Sequence, residues 1–153
     1  MPDGKNMPAK PLILVAEDEV SDRSLLSRAV ERAGLQVRLE FAKDGLELIS
    51  RLRAGASEAS LLLLDLDMPG MNGFEVLEWL REHLDMRPGY VVVLSGSSDG
   101  DDLRRASELG VDHYLVKPGD PAELLATLKR LEPYWAEGRR GGFGSTEAAA
   151  SAA

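Results

Sequence analysis

Two aspartates stand two residues apart in the stretch LLLLDLDMPGMNGFEVL, residues 61–77: Asp65 closes a run of four leucines and Asp67 comes just before Met68, Pro69 and Gly70. Ending an apolar run in carboxylates is costly unless the charges are given partners. Three other apolar runs end in polar groups: Glu17-Asp18-Glu19 after LILVA, Ser95-Gly96-Ser97 at the end of YVVVLS, and Lys117-Pro118 after HYLV. Carboxylates gathered at one place repel, and a hard divalent cation with oxygen ligands, Mg²⁺ or Mn²⁺, relieves the repulsion. Glu17, Asp18 and Asp65 would supply the acids, Lys117 a point charge for an anion, and Ser95 a small donor able to approach that anion. An anion beside carboxylates and a divalent cation is most simply a phosphoryl group, carried by one of the aspartates as an acyl phosphate.

That chemistry needs the four segments at one edge, and the patterning supplies it. LILVA (Leu12–Ala16) reads as a buried strand, and SDRSLLSRAVERAG as a helix with apolar positions at Leu25, Leu26, Ala29, Val30 and Ala33, stopped by Gly34. LQVRLEFA alternates as a strand, and a helix runs from Asp44 to a stop at Gly55. SLLLLD is a strand whose unbroken apolar run implies burial on both faces. GFEVLEWLREHL is a helix with Phe74, Leu77, Leu80 and Leu84 on one side, YVVVLS a strand, and DDLRRASELG a short helix. VDHYLV is the fifth strand, and DPAELLATLKRLEPYW the last helix, capped by Asp120 with Pro121 in its first turn. Five βα units in strict alternation predict an α/β fold, a parallel sheet with helices on both faces. In such sheets ligands bind beyond the carboxyl ends of the strands at a topological switch point, which is where Glu17, Asp65, Ser95 and Lys117 fall.

Composition narrows the function. The chain has 153 residues, a net charge of −8 and no cysteine. One domain is expected over 11–136, between flexible flanks at 1–10 and 137–153, the latter rich in Gly, Ala and Ser. Without cysteine there are no disulfides, thiolate metal sites or thiol nucleophiles. The acidic balance and scattered basic residues disfavour direct nucleic-acid binding. No apolar run reaches the length of a membrane span, and the N-terminus lacks a signal-peptide core, so a cytoplasmic protein is expected.

The four runs ILVAEDE, LLLLDLDMPGMNGFEVL, VVVLSGS and YLVKPGD, in that order and at these intervals, resemble the receiver domain of two-component response regulators. The resemblance covers about residues 12–135 and implies a CheY-like, flavodoxin-like (βα)5 fold with strand order 2-1-3-4-5. It places the phosphoacceptor on Asp65 and the acidic metal-binding pair on Glu17 and Asp18. It assigns to Asp67 a backbone carbonyl ligand for the metal, to Ser95 the switch hydroxyl, to Lys117 the phosphate-binding lysine and to Tyr114 the aromatic switch. Pro118 matches the proline that follows this lysine, usually through a cis bond. By the same resemblance the partner is a sensor histidine kinase. The output is a changed surface of helix 4, strand 5 and helix 5, which binds a downstream protein or a second copy. A family of this kind catalyses its own phosphotransfer and slow dephosphorylation rather than turning over a separate substrate. The ending LKRLEPYW is similar to single-domain regulators that serve phytochrome-type kinases.

Three departures matter. Glu17 stands where aspartate is commoner, which leaves a water-mediated metal contact open. Asp67 stands where asparagine is frequent, and Gly96 where alanine is frequent. LLLLDLD also resembles the nucleophile motif of haloacid-dehalogenase-type phosphatases. Their metal-binding acids follow the lysine, however, whereas Glu17-Asp18 precedes the nucleophile, and no segment is large enough for a substrate cap. A receiver fold that acts without phosphate is a third reading, disfavoured by the intact Asp65, Ser95 and Lys117. His113 alternates to the face opposite Tyr114, His83 is expected on a solvated helix face, and Tyr134 and Trp135 are expected to pack.

Overall fold

The four leucines before Asp65 divide between two cores. Leu62 and Leu64 face one, Leu61 and Leu63 the other, and all four are almost wholly buried. This is the period of two that a strand imposes, with both faces covered. The computed structural model describes residues 10–96, 99–117 and 120–136. The flanks expected to be flexible therefore lie, apart from Lys10, outside the described residues, as do Ser97 and Pro118 with its peptide bond.

Five strands, β1 (Leu12–Ala16), β2 (Arg38–Ala42), β3 (Leu61–Leu64), β4 (Tyr90–Ser95) and β5 (His113–Val116), form one parallel sheet in the order β2-β1-β3-β4-β5. The helices between them are α1 (Val20–Ala33), α2 (Gly45–Arg53), α3 (Gly73–Glu82) and α4 (Gly100–Glu108), followed by α5 (Pro121–Arg130) and a short α6 (Glu132–Trp135). Leu12, Leu14, Leu62, Leu64, Val91 and Val93 pack with Leu48 and Leu52 of α2 and Val76, Leu77 and Leu80 of α3. On the other face Ile13, Val15, Leu61, Leu63, Val92 and Leu94 pack with Leu26 and Val30 of α1 and Leu128 of α5. This is the doubly wound, flavodoxin-like architecture that the alternation implied, with the expected strand order.

The C-terminal helix departs from expectation. One helix was expected through Trp135, but α5 ends at Arg130 and α6 begins two residues later. Pro133 has no N–H to give and its ring crowds the carbonyl four residues back, so a continuous helix cannot pass it. Trp135 is nevertheless buried, and its indole N–H donates to the Leu128 carbonyl at 3.0 Å. Leu84 also departs: α3 stops at Glu82, and Leu84 lies in a 3₁₀ turn, Leu84–Met86, 68% exposed rather than in line with Leu80. His83 is partly covered, stacked on Trp79 at 4.0 Å between ring centroids, instead of standing in solvent.

Helix caps follow the sequence. Asp44, Asn72 and Asp120 each accept a backbone N–H three residues on, and Asn72 forms a reciprocal capping box with Glu75. The start of α3 is pressed against the end of β3: a Cβ built on Gly73 would stand 2.7 Å from both the Asp65 carbonyl oxygen and the Leu66 Cα. No backbone atom there can yield without moving Asp65. Gly73→Ala is therefore expected to lower stability by about 1–3 kcal/mol, as overpacking does. Gly96→Ala, where an added Cβ meets nothing within 4 Å, should stay within about 0.5 kcal/mol of the parent. Urea denaturation of the two variants beside the parent checks this.

Candidate functional site

The backbone ladder sets the site. Asp65 stands one residue past β3, and its N–H donates to the Ala16 carbonyl at 3.1 Å, continuing the β1–β3 pairing. Glu17 stands one residue past β1, its N–H on the Ala42 carbonyl at 3.0 Å. Lys117 stands one residue past β5, its N–H on the Ser95 carbonyl at 2.6 Å. β1 has β2 on one side and β3 on the other, so the chain reverses its winding there. The crevice of a doubly wound sheet opens at such a reversal. Glu17 and Asp65 occupy it side by side.

Burial makes the Asp65 carboxylate costly to ionise. Glu17 and Asp65 are each 6% exposed. The Asp65 carboxyl is pushed from an ordinary 3.8 up to about 6, chiefly because burial strips water from its charged form. A hydrogen bond from the Asp67 N–H to Oδ1, at 3.0 Å, and the charge of Lys117 pull the other way, while the Glu17 charge adds to the rise.

Lys117 gathers three carboxylates: Glu17 Oε1 at 2.6 Å, Asp22 Oδ2 at 3.3 Å and Asp65 Oδ2 at 3.5 Å. Burial alone would lower its pKa. The hydrogen bond to Glu17 and the charges of Asp65, Glu17 and Asp22 outweigh that, and the ammonium is held above its ordinary range. The distances show a preference: the contact with Glu17 is a short charge-assisted bond, whereas 3.5 Å to Asp65 is the edge of hydrogen-bond range. The longer side chain that glutamate brings to this position thus reaches the lysine. Its other oxygen accepts the Glu19 N–H at 3.1 Å.

The remaining predicted residues fall as follows. Asp18 is half-buried, and one oxygen each from Glu17, Asp18 and Asp65 lie within 4.8 Å of one another. Asp67 is exposed in the following turn, and its carboxylate is not part of that cluster. Ser95 is fully buried at the end of β4. Tyr114 is 5% exposed and packed in the core shared with α2, α3 and α4. No move from surface to interior is needed to bury it. His113, one residue earlier, is buried on the opposite face against Tyr134 at 5.0 Å, as alternation requires, and burial lowers its pKa.

Two contacts of the site went unrecognised in the sequence. Asp22 of α1 reaches Lys117, and Arg23 donates to the Glu17 carbonyl at 2.7 Å. A signal existed: helical Cα–Cβ bonds tilt toward the N-terminus, so a carboxylate in the first turn of α1 leans back toward the acidic loop that precedes it.

Glu17, Asp22 and Asp65 set three carboxylates around one ammonium, and Asp18 joins two of them in a cluster of acids. Hard oxygen donors within reach of one another and an excess of negative charge fit a hard divalent cation of the Mg²⁺ or Mn²⁺ type and do not fit softer metals.

Comparison with known proteins agrees. The response regulator receiver domain family matches residues 13–129. A probable methanogenesis regulatory protein, FilR2 of Methanothrix harundinacea, is 38% identical over 128 residues, 81% of this chain and 83% of that one. Response regulator Rcp1 of Synechocystis is 30% identical over 142 residues, 90% of this chain and 95% of its own. Among solved structures, the phosphorylated cyanobacterial phytochrome response regulator RcpA superposes with a TM-score of 0.74 at 31% identity, covering 83% of this chain and 94% of RcpA. The Mn²⁺-bound form of Rcp1 gives 0.70 at 31% identity, covering 83% and 95%.

The raised pKa of Asp65 has a consequence for stability. Folding favours its protonated form, so its contribution is most favourable below about pH 4 and is lost as the pH rises through about 6. In metal-free buffer Asp65→Asn, which keeps the oxygen that accepts the Asp67 N–H, is expected to stabilise the fold by about 1–3 kcal/mol at pH 8. The advantage should shrink to nothing toward pH 4. Chemical denaturation with EDTA at both pH values measures it, and a loss of stability at pH 8 would contradict the electrostatic account.

Proposed function

The chain belongs to the response regulator receiver family, and on that premise we propose that it is a phosphorylation-controlled switch with Asp65 as phosphoacceptor. The observation that carries this reading is the convergence of Lys117 on Asp65 and Glu17 at the switch point of the sheet. A carboxylate oxygen of Asp65 attacks the phosphorus of a kinase phosphohistidine: a P–O bond forms, the P–N bond breaks, and the imidazole leaves with the electron pair. Glu17, Asp18 and Asp65, with the backbone carbonyl of Asp67, would hold Mg²⁺ or Mn²⁺, which supplies the positive charge that a dianionic phosphoryl group needs in order to approach carboxylates. The Mn²⁺-bound structure of the relative Rcp1 supports that choice of ion.

The protein's own groups do the rest. The β1–β3 ladder fixes Asp65, so its oxygen is aimed before the donor arrives. Lys117 exchanges its weakest carboxylate, Asp65 at 3.5 Å, for a phosphoryl oxygen bearing more charge. Ser95, at the end of β4, donates its hydroxyl to the same group and draws the loop that follows inward. Tyr114, already in the core beside α4, adjusts with that loop, and the face formed by α4, β5 and α5 changes. Val116 of β5 is exposed on that face. The partners are a sensor histidine kinase of the phytochrome type, for which the likeness to RcpA and Rcp1 argues, and then a downstream protein or a second copy of this chain. Among the described residues no helix is long and apolar enough to cross a membrane.

The test is covalent labelling. With Mg²⁺ and a small acyl phosphate the chain should gain one acid-stable, base-labile phosphoryl group, seen by intact mass. Asp65→Asn should abolish it, and EDTA should suppress it. If neither label nor any beryllofluoride-induced spectral change appears, the chain is a phosphate-independent interaction module. Sustained turnover of unrelated phosphate esters would instead indicate a phosphatase.

A further inference from the structure

We propose that Asp22 is a positioning residue for Lys117: it keeps the ammonium at the edge of the site when Glu17 and Asp65 are engaged with a cation. This rests on the reading of Glu17, Asp18 and Asp65 as the metal-holding set. The three carboxylates on Lys117 are not equivalent in that reading. Glu17 and Asp65 belong to the cluster of acids, and Asp22 does not. A cation held by the cluster competes with Lys117 for two of its three partners and leaves the third untouched.

The geometry suits that part. Asp22 lies in the first turn of α1, and its Oδ2 is 3.3 Å from Lys117 Nζ. Among the described residues Lys117 is its ion-pair partner, and the helix is entered through Glu19, whose side chain makes no cap bond. A cavity of about 100 Å³ between α1 and α5, lined by Glu17, Asp22, Lys117 and Leu124, opens beside the three groups. Its space lets the ammonium pass from Glu17 toward Asp22 without displacing the core. A lysine parked there stays next to Asp65, ready for a phosphoryl oxygen, whereas one without Asp22 returns to Glu17 and opposes the cation. The simpler role for Asp22, an acid favourable to the helix dipole, would act on stability and owe nothing to Lys117.

A double-mutant cycle on the full chain separates the two. Mn²⁺ affinity is measured by electron paramagnetic resonance for the parent, Asp22→Asn, Lys117→Met and the double variant. Where Lys117 is present, Asp22→Asn should weaken Mn²⁺ binding by about three- to fivefold, the size of a half-exposed ion pair. In the Lys117→Met background the same change should leave affinity within about 1.5-fold, because the interaction it removes no longer exists. An equal loss in both backgrounds would assign Asp22 a direct field on the cation, and no loss in the first would leave it no part in the site. Either result overturns the proposal. A parent chain that takes up no Mn²⁺ would overturn the metal-holding set itself, and the role of Asp22 with it.

Discussion

One ammonium shared by three carboxylates is the constraint on which this structure turns. Glu17, Asp22 and Asp65 stand around Lys117 at the carboxyl edge of the sheet with Asp18 beside Glu17 and Asp65, and two of the acids are almost fully buried. Taking such charges out of water costs several kcal/mol each before any pairing. The backbone offsets part of this, through the Asp67 N–H on Asp65 and the Glu19 N–H on Glu17. The remaining excess of negative charge is what makes the edge reactive toward cations and sensitive to any new anion.

The scaffold holds that arrangement by fixing the strands at both ends. At the entry end of β5, Asp112 is fully buried and accepts the Val91 N–H at 2.8 Å and the Arg87 guanidinium at 3.0 Å. That clamp locks β5 in register with β4, so that Lys117 arrives opposite Ser95 at the exit end. On β3 the same result comes from packing. Leucines grip both faces of the strand, and Gly73 brings the start of α3 against the Asp65 backbone. A carboxylate held in this way cannot retreat from its neighbours, and the unfavourable crowding persists as a property of the fold.

Much of this was legible in the sequence because it depends on local chemistry. Alternation of apolar runs gave the five strands, and their polar ends gave Glu17, Asp18, Asp65, Ser95 and Lys117 in one place. What was hidden depends on how far an element continues and what stands across from it. Leu84 fits the period of α3, but the backbone leaves helical geometry at His83, with φ −134° and ψ 60°, so the period no longer applies. Pro133 divides the last helix although the apolar pattern runs through it. Asp22 is one acid among those at the start of a helix, and nothing local marks it. Its meaning comes from Lys117, which is 95 residues away in the chain. The resemblance assigned Tyr114 the aromatic switch, yet residue type alone does not say which position the ring occupies, and here it is already buried.

The placement of Lys117 also ties three elements of the fold to one side chain. Its ammonium touches α1 through Asp22 and the end of β1 through Glu17, while its backbone N–H is bonded to Ser95 at the end of β4. These links meet in a side chain whose three donors are already in use, so a new partner is gained only by giving one up. Exchange of partners is stepwise rather than gradual, and each step changes which element the lysine restrains. With the interior packed at strand density on both faces, the sheet itself cannot absorb the change. It passes instead to the ends of β4 and β5, where Ser95 and Lys117 are joined. Under the proposed function, charge added at Asp65 would act first on Lys117, and through it on the elements the lysine holds, α1 and the ends of β1 and β4.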